Sequence, residues 1–377
     1  MRRLSIKEIA QLAGTSKSTV SRYLNQPDMV KGATAERIAQ VIEETGFSPN
    51  VLARNFRRGN TRLIIVVIPS VGYPLFDEAM RGAWRVAQEK GYNVLILTTQ
   101  QITEPPAHYF SKIISSKQAD GLLLFSASLP HQDGVAYADQ FKLIPIVVGF
   151  EFTDAELQCF PSVHIDNTAA VRQVMEYLIG LGHEEVAFLG GQTDVYSICG
   201  RELAFRDSLK SAGLAIRDEW IIQCQTTSED ARTNFSRLLD LSRSNARQLL
   251  NLSHRPTAVF CGGGDIMALG AIHEIKAAGL RVPQDISVIG FDDIHYADIS
   301  DPPLTTVSQP AEEIGERSMY RLCAMIEGTP EESTPWIIPH RLIVRESVSP
   351  PQEHLYRSKV SSQDHPEDTS LSMEQAK

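Results

Sequence analysis

The sequence predicts a small all-α helix-turn-helix head followed by an α/β body made of two doubly wound parallel-sheet subdomains. Three observations predict it. Short helical patterns separated by glycines occupy the N-terminal segment up to Gly46. Charge then divides: residues 1–62 hold eleven Lys/Arg against five Asp/Glu, whereas the other 315 hold twenty-five against forty-one. From Leu63 onward, continuous apolar runs alternate with amphipathic helical stretches, the signature of parallel sheets covered on both faces.

The head comes first. Ser5-Ile6-Lys7-Glu8 has the form of a capping box, in which the Ser5 hydroxyl accepts from the Glu8 N–H and the carboxylate reaches back. Ile6, Ile9, Ala10 and Ala13 follow at helical spacing, and Gly14 ends the helix. Ser16 can cap a second helix, Lys17 to Asn25, with Val20 and Leu24 inward. A third runs from Ala35 to Thr45, carries Ile38, Val41 and Ile42, and stops at Gly46. Helix, glycine turn and helix together form the helix-turn-helix pattern. Lys17, Ser18, Ser21 and Arg22 fall on the outer face near the start of the second helix, the end that enters the major groove in this motif. Arg22 can pair bidentately with a guanine edge. A ligand-free three-helix bundle would leave this face and the local positive balance unexplained. "SPNVLARNFRRG" (48–59) has the pattern of one more short helix or a basic linker, with Ser48 as N-cap, Pro49 at the first position and a dense set of arginines.

In the body, strands are expected at Leu63–Ile68, Asn93–Leu97, Gly121–Phe125, Ile144–Val148, Val163–Ile165, Val186–Leu189, Ala258–Cys261 and Ser287–Gly290. Ala79, Met80, Ala83, Trp84 and Ala87 form one helical stripe. The β–α rhythm restarts near His164, which gives two subdomains. Ligands bind beyond the carboxyl ends of strands in such sheets. The loops expected there are 70–77, 150–152, 166–167, 190–201, 262–265 and 292–293. They carry the candidate effector residues Phe76, Asp77, Glu151, Phe152, Arg201, Asp265 and Asp292, a mixture of flat apolar surfaces and charged anchors.

Composition narrows the function classes. The chain has 377 residues, 42% hydrophobic and 22% charged, which excludes a wholly disordered protein. Its longest apolar run, Leu63–Ile68, is far short of the ~20 residues needed to span a bilayer. There is no secretory-signal core, and the five cysteines form no CxxC pair. A reduced, cytoplasmic protein without metal or cofactor is expected. No Walker loop, HExxH, GxSxG or strand-following GxGxxG is present, so no catalytic residue is assigned. His183, between Gly182 and two glutamates, is expected at an ordinary surface turn.

The stretch "IKEIAQLAGTSKSTVSRYLN" resembles the DNA-binding head of the lactose/galactose repressor (LacI/GalR) family. The matching core is Ala13, Gly14, Ser16, Thr19, Val20, Ser21, Arg22, Leu24 and Asn25. "VHIDN", "GHEEVAFLGG", "DIMALGAI", "VPQDISVIGFDDI" and "DPPLTTVSQP" resemble the same family's sensing core, itself similar to a periplasmic binding protein. The resemblance implies a repressor that binds double-stranded DNA at a pseudo-palindromic operator as a homodimer, with a tetramer left open, and responds to a small sugar or nucleoside. It implies DNA contacts from Ser16, Lys17, Ser18, Ser21, Arg22 and Asn25. It also implies contacts from a hinge helix bearing Asn50, Arg54, Phe56 and Arg57, with Phe56 where the family places a minor-groove leucine wedge. It places the effector-anchoring arginine at Arg201 and the cleft aspartate at Asp292. "VHIDN" and "DPPLTTVSQP" look most like cytidine-type repressors.

The implied organisation is a head over 1–47, a hinge over 48–61, a two-lobed body over 62–349 and a disordered tail over 350–377. Within the body, the N-lobe takes about 62–162 and 293–325, and the C-lobe about 163–292 and 326–349. Three features depart from the family pattern: an extra glycine in "CGGGD", a helical extension at 227–251, and the tail. A solute-binding protein, or a sugar- or nucleoside-processing enzyme with a fused head, is the alternative.

Overall fold

The computed structural model describes residues 4–47, 60–98, 112–113, 116, 118–125, 145–150, 160–192, 196–224, 235–330 and 334–352. The expected hinge helix with Asn50, Arg54, Phe56 and Arg57 lies outside these residues. So do Glu151, Phe152 and nearly all of the expected tail. Two units form, residues 1–62 and 63–377.

In the head, α1 (Ile6–Leu12) and α2 (Lys17–Asn25) are joined through Gly14, whose φ of 60° suits a glycine. The capping box is complete: Glu8 N donates to Ser5 Oγ at 3.3 Å, and Ser5 N donates to Glu8 Oε2 at 2.7 Å. A 3₁₀ turn at Pro27–Met29 leads to α3 (Ala33–Thr45). This helix starts two residues before its expected beginning because the Gly32 carbonyl accepts the Ala35 N–H at 2.9 Å and so opens the helix earlier. Ile9, Ala10, Ala13, Val20 and Ile38 fill the space between the three helices.

The body begins with β1 (Leu63–Ile68), α4 (Pro74–Glu89), β2 (Asn93–Thr98), β3 (Gly121–Leu124), β4 (Ile146–Gly149) and β5 (Ser162–His164). It continues with α5 (Asn167–Gly180), β6 (Val186–Gln192), α6 (Tyr196–Ser211), β7 (Ile221–Cys224), α7 (Phe235–Leu250), β8 (Ala258–Phe260), α8 (Asp265–Ala277), β9 (Ser287–Ile289) and a single turn, α9 (Tyr296–Ile299). The chain closes with β10 (Thr306–Ser308), α10 (Ala311–Ile326), β11 (Trp336–Ile337) and β12 (Arg341–Ile343). One parallel sheet has the order β11-β5-β4-β3-β1-β2 and the other β7-β6-β8-β9, with β10 and β12 as a separate antiparallel pair. The fully buried runs of β1, β3 and β4 are what two-sided coverage requires.

The strand pairings move the expected lobe limits. β5 bonds to β4 (Val148↔Ser162, Gly149↔Val163), so it belongs to the first lobe and not the second. β11 in turn pairs with β5 and returns residues 336–337 to the first lobe. The stretch through Ser308 stays with the second lobe, bridged at Ile289↔Thr305 and Asp292↔Ser308. The chain therefore crosses between lobes near residues 165, 309 and 339. Apolar patterning detects a strand but carries no information about which sheet receives it.

Two more expectations change. Trp84 is 55% exposed, and Val86 takes a core place on α4 instead. His183 is buried: its Nε2 donates to the Ser349 carbonyl at 2.9 Å, and Nδ1 lies 2.9 Å from the Thr257 hydroxyl. It thus ties the C-terminal segment to the second lobe, and desolvation lowers its pKa. The extension at 227–251 contains α7, which is clamped to α8 by Arg243 and Arg247, each 2.7 Å from the Glu274 carboxylate. Those guanidiniums hold the Glu274 pKa at about 2.

The candidate DNA-reading face and effector site

α2 is shaped by Ser16, whose hydroxyl accepts the Thr19 N–H at 3.1 Å and lies 2.7 Å from the Ser18 hydroxyl. The cap fixes the first turn, and helical spacing then puts 17, 18, 21 and 22 on one side. Ser16, Lys17, Ser18 and Arg22 are exposed and Ser21 is half-buried, while Val20 faces the core. Asn25 is the last residue of α2. Ser16, Lys17, Ser18, Ser21 and Arg22 therefore lie along one side of the first part of the second helix.

In the body, polar groups from both lobes converge. Asp292 follows β9 with φ of 115°, a conformation that side-chain-bearing residues rarely adopt. Backbone bonds hold it there: Asp292 N donates to Val307 O at 2.8 Å, and Gln309 N donates to Asp292 O at 3.3 Å. Its carboxylate accepts from the Tyr73 hydroxyl at 2.9 Å and from Gln309 Nε2 at 2.7 Å. Tyr73 is the residue before α4, so this bond joins the two lobes. Desolvation raises the Asp292 pKa, opposed by the Arg201 charge. Desolvation and the neighbouring Asp292 push the Tyr73 phenol well above its ordinary value.

Arg201 projects from α6 and is buried. Its Nε donates to Asn167 Oδ1 at 2.7 Å, its Nη1 donates to the Gly262 carbonyl at 2.9 Å, and its guanidinium lies 3.7 Å from the Phe291 ring centre. On the first lobe an aromatic chain runs from Tyr73 to Phe76 (5.5 Å), to Phe150 (5.6 Å) and to Phe125 (5.6 Å). Of the other expected residues, Asp77 is exposed in the first turn of α4. Asp265 sits beneath the cluster with no exposed surface. Thr306 Oγ1 donates to its Oδ1 at 2.5 Å, and Ile294 N donates to its Oδ2 at 2.9 Å. Desolvation and the nearby Asp292 raise its pKa well above the carboxylate range.

Gly264 of "CGGGD" lies against the bond between Tyr73 and Asp292. Gly264 has φ of 110°, and a Cβ on it would come within 2.7 Å of Asp292 Oδ2 and 2.9 Å of the Tyr73 hydroxyl. The loop can pass under that bond only without a side chain.

The structure thus unites Phe76, Arg201 and Asp292 and adds Tyr73, Asn167, Phe291 and Gln309, which sequence reasoning did not single out. Tyr73 and Asn167 lie within loops 70–77 and 166–167, already expected at the strand ends. Nothing in their spacing marks them as neighbours of Asp292 and Arg201.

Residues 5–50 match the family model "Bacterial regulatory proteins, lacI family", and residues 175–348 match "Periplasmic binding protein-like domain". The HTH-type transcriptional repressor CytR of Escherichia coli (strain K12) is 35% identical over 344 residues, covering 91% of this chain and 96% of the relative. The chain belongs to the lacI family. It is a ligand-responsive, DNA-binding transcriptional regulator and not an enzyme. The HTH-type transcriptional repressor PurR of Serratia proteamaculans (strain 568) is 33% identical over 346 residues, covering 92% of this chain and 97% of the relative. Among solved structures, a transcriptional regulator CelR–cellobiose complex superposes with a TM-score of 0.65 at 27% identity, over 92% of this chain and all of that one. The Lac repressor dimer bound to operator and the anti-inducer ONPF gives a TM-score of 0.76 over the same shares, and at 24% identity this likeness speaks to fold.

Proposed function

We propose that this lacI-family regulator is a homodimeric repressor whose body binds a small sugar or nucleoside and whose heads read a pseudo-palindromic operator. One observation carries the reading. A cation-bearing recognition face and a two-lobed polar–aromatic site occur in the same chain, the combination that a DNA-binding sensor uses. Lys17, Ser18 and Arg22 contact base edges, while Ser16, Ser21 and Asn25 contact base or backbone. In the hinge, Phe56 enters the minor groove, a role open to apolar side chains generally, and Asn50, Arg54 and Arg57 grip phosphate.

Arg201 and Asp292 anchor the effector, with Phe76 as a flat contact, Asp77 at the rim, and Glu151 and Phe152 as further effector-binding residues. Asp265 supports the floor from below. A single head reads too few base pairs for genomic specificity, so two heads act together. The edge strand β2 exposes Leu95 and Ile96 at 44% and 42%, which supports the first lobe as the dimer surface. Closure of the lobes around effector shifts the paired hinges and changes operator affinity.

The test is equilibrium binding of the full chain to fragments of its own genome across a salt series, with Arg22→Ala in parallel. Affinity for the preferred fragment falls about 1,000-fold or more between 50 and 200 mM salt, as several phosphate contacts require. Arg22→Ala loses ~1–3 kcal/mol of discrimination between that fragment and random DNA. Salt-insensitive binding, or unchanged discrimination in the variant, would reject the recognition face.

A further inference from the structure

We infer that the Asn167 side-chain amide is a ligand-contacting donor that sets which effectors the site accepts. The inference deepens the effector-site reading above and rests on it. Asn167 opens α5, and only 7% of it is exposed. Its orientation is fixed chemically: Oδ1 accepts Arg201 Nε at 2.7 Å, and a flipped amide would set two donors against each other. That leaves Nδ2, which is buried and has no hydrogen-bond partner among the described residues. A buried donor without an acceptor is a rare and costly state that native proteins reserve for places where something else completes it.

The surroundings point to a ligand. The Arg201 guanidinium that fixes Asn167 also holds the Gly262 carbonyl, packs on Phe291, and acts electrostatically on Asp292 and Tyr73. Asn167, at the start of α5, is therefore part of the same cluster.

The chemistry that completes it is an acceptor: a hydroxyl or carbonyl oxygen, or an unprotonated ring nitrogen. A ligand presenting an N–H at that point meets donor against donor and is rejected. Sites built around a buried polar group discriminate strongly against ligands that leave it unpaired. Asn167 thus selects by the hydrogen-bonding pattern of one ligand atom, while the aromatic wall of Tyr73, Phe76 and Phe150 accepts any flat or apolar face.

The test uses the full chain in a thermal-shift titration with ribose, galactose, adenosine, guanosine, cytidine and uridine as probes. Asn167→Asp keeps size and the partner of Arg201 but replaces the donor by an acceptor. Asn167→Ser removes the amide while leaving a small polar group, and serves if the aspartate variant does not fold. At least one probe is expected to raise the melting temperature of the parent. Against that probe, the variant's apparent affinity should be weaker by about tenfold or more, and the ligand-free melting temperature of Asn167→Asp should be no lower than the parent's. A probe that stabilises parent and variants equally would overturn the role of Asn167 and leave the effector site standing. If no probe stabilises the parent, the sugar-or-nucleoside reading fails and this inference fails with it.

Discussion

The Asp265 carboxylate and the Asp292 carboxylate are close in space and opposite in use. Asp292 meets Tyr73 from the other lobe, while Asp265 is enclosed by Thr306, Ile294 and the loop at Gly290, where a Cβ would collide with its Oδ1. Desolvation raises the Asp265 pKa above its unfolded value. Its contribution to stability is therefore fully present below the unfolded pKa and is lost as pH rises through the folded pKa. Asp265→Asn keeps the shape and cannot ionise: its oxygen still accepts the Ile294 N–H, and its amide N–H meets Thr306 Oγ1, which turns from donor to acceptor. The variant should match the parent in acid and exceed it in stability as pH rises to neutrality, measured by urea unfolding across that range. A variant less stable than the parent at neutral pH would show that the ionised carboxylate is what the fold needs. The sequence marked both aspartates as cleft candidates because each lies in a loop beyond the carboxyl end of a strand. Only the packing separates a carboxylate that meets the other lobe from a buried support, and no local pattern encodes that packing.

At the scale of elements, the close crossing of α4 and α10 organises the first lobe. Gly82 and Gly315 face each other across it: a Cβ on Gly82 would overlap the Glu312 carbonyl, and one on Gly315 the Ala79 carbonyl. Arg81 and Arg85 then reach Glu312 and Glu316 along the rim, exposed pairs that add little to stability. Gly315→Ala must force two helix backbones apart and should lower stability by ~1–3 kcal/mol, as overpacked cores do, read from the urea midpoint. An unchanged midpoint would mean that the crossing has slack.

The elements themselves were largely legible. The capping box at Ser5, the cap at Ser16 and the buried runs of β1, β3, β6 and β8 are local signals, and each lies where its residues indicate. The strands β7, β10, β11 and β12 were not legible, because none holds more than two consecutive apolar residues, whereas β8 is a continuous apolar run. Sheet membership of β5 and β11 was equally hidden, since it depends on pairing partners far away in sequence.

For the whole molecule, the charge division is the most informative sequence property and the assembly of the effector site the least. A head with a positive balance on an acidic body confines attraction for a polyanion to one end. Six residues at the core of the site come from positions 73, 167, 201, 291, 292 and 309, so the site exists only once both lobes have formed. Its cross-lobe bond between Tyr73 and Asp292 gives the body a direct means of registering lobe geometry. If the head responds to that geometry, the two binding events are linked, and linkage is reciprocal. The decisive measurement is a pair of titrations on the full-length chain, using the probe that stabilises it: operator affinity with and without probe, and probe affinity with and without operator. Each ligand should change the affinity for the other by the same factor, different from one. Two titrations that each ignore the other ligand would contradict the account.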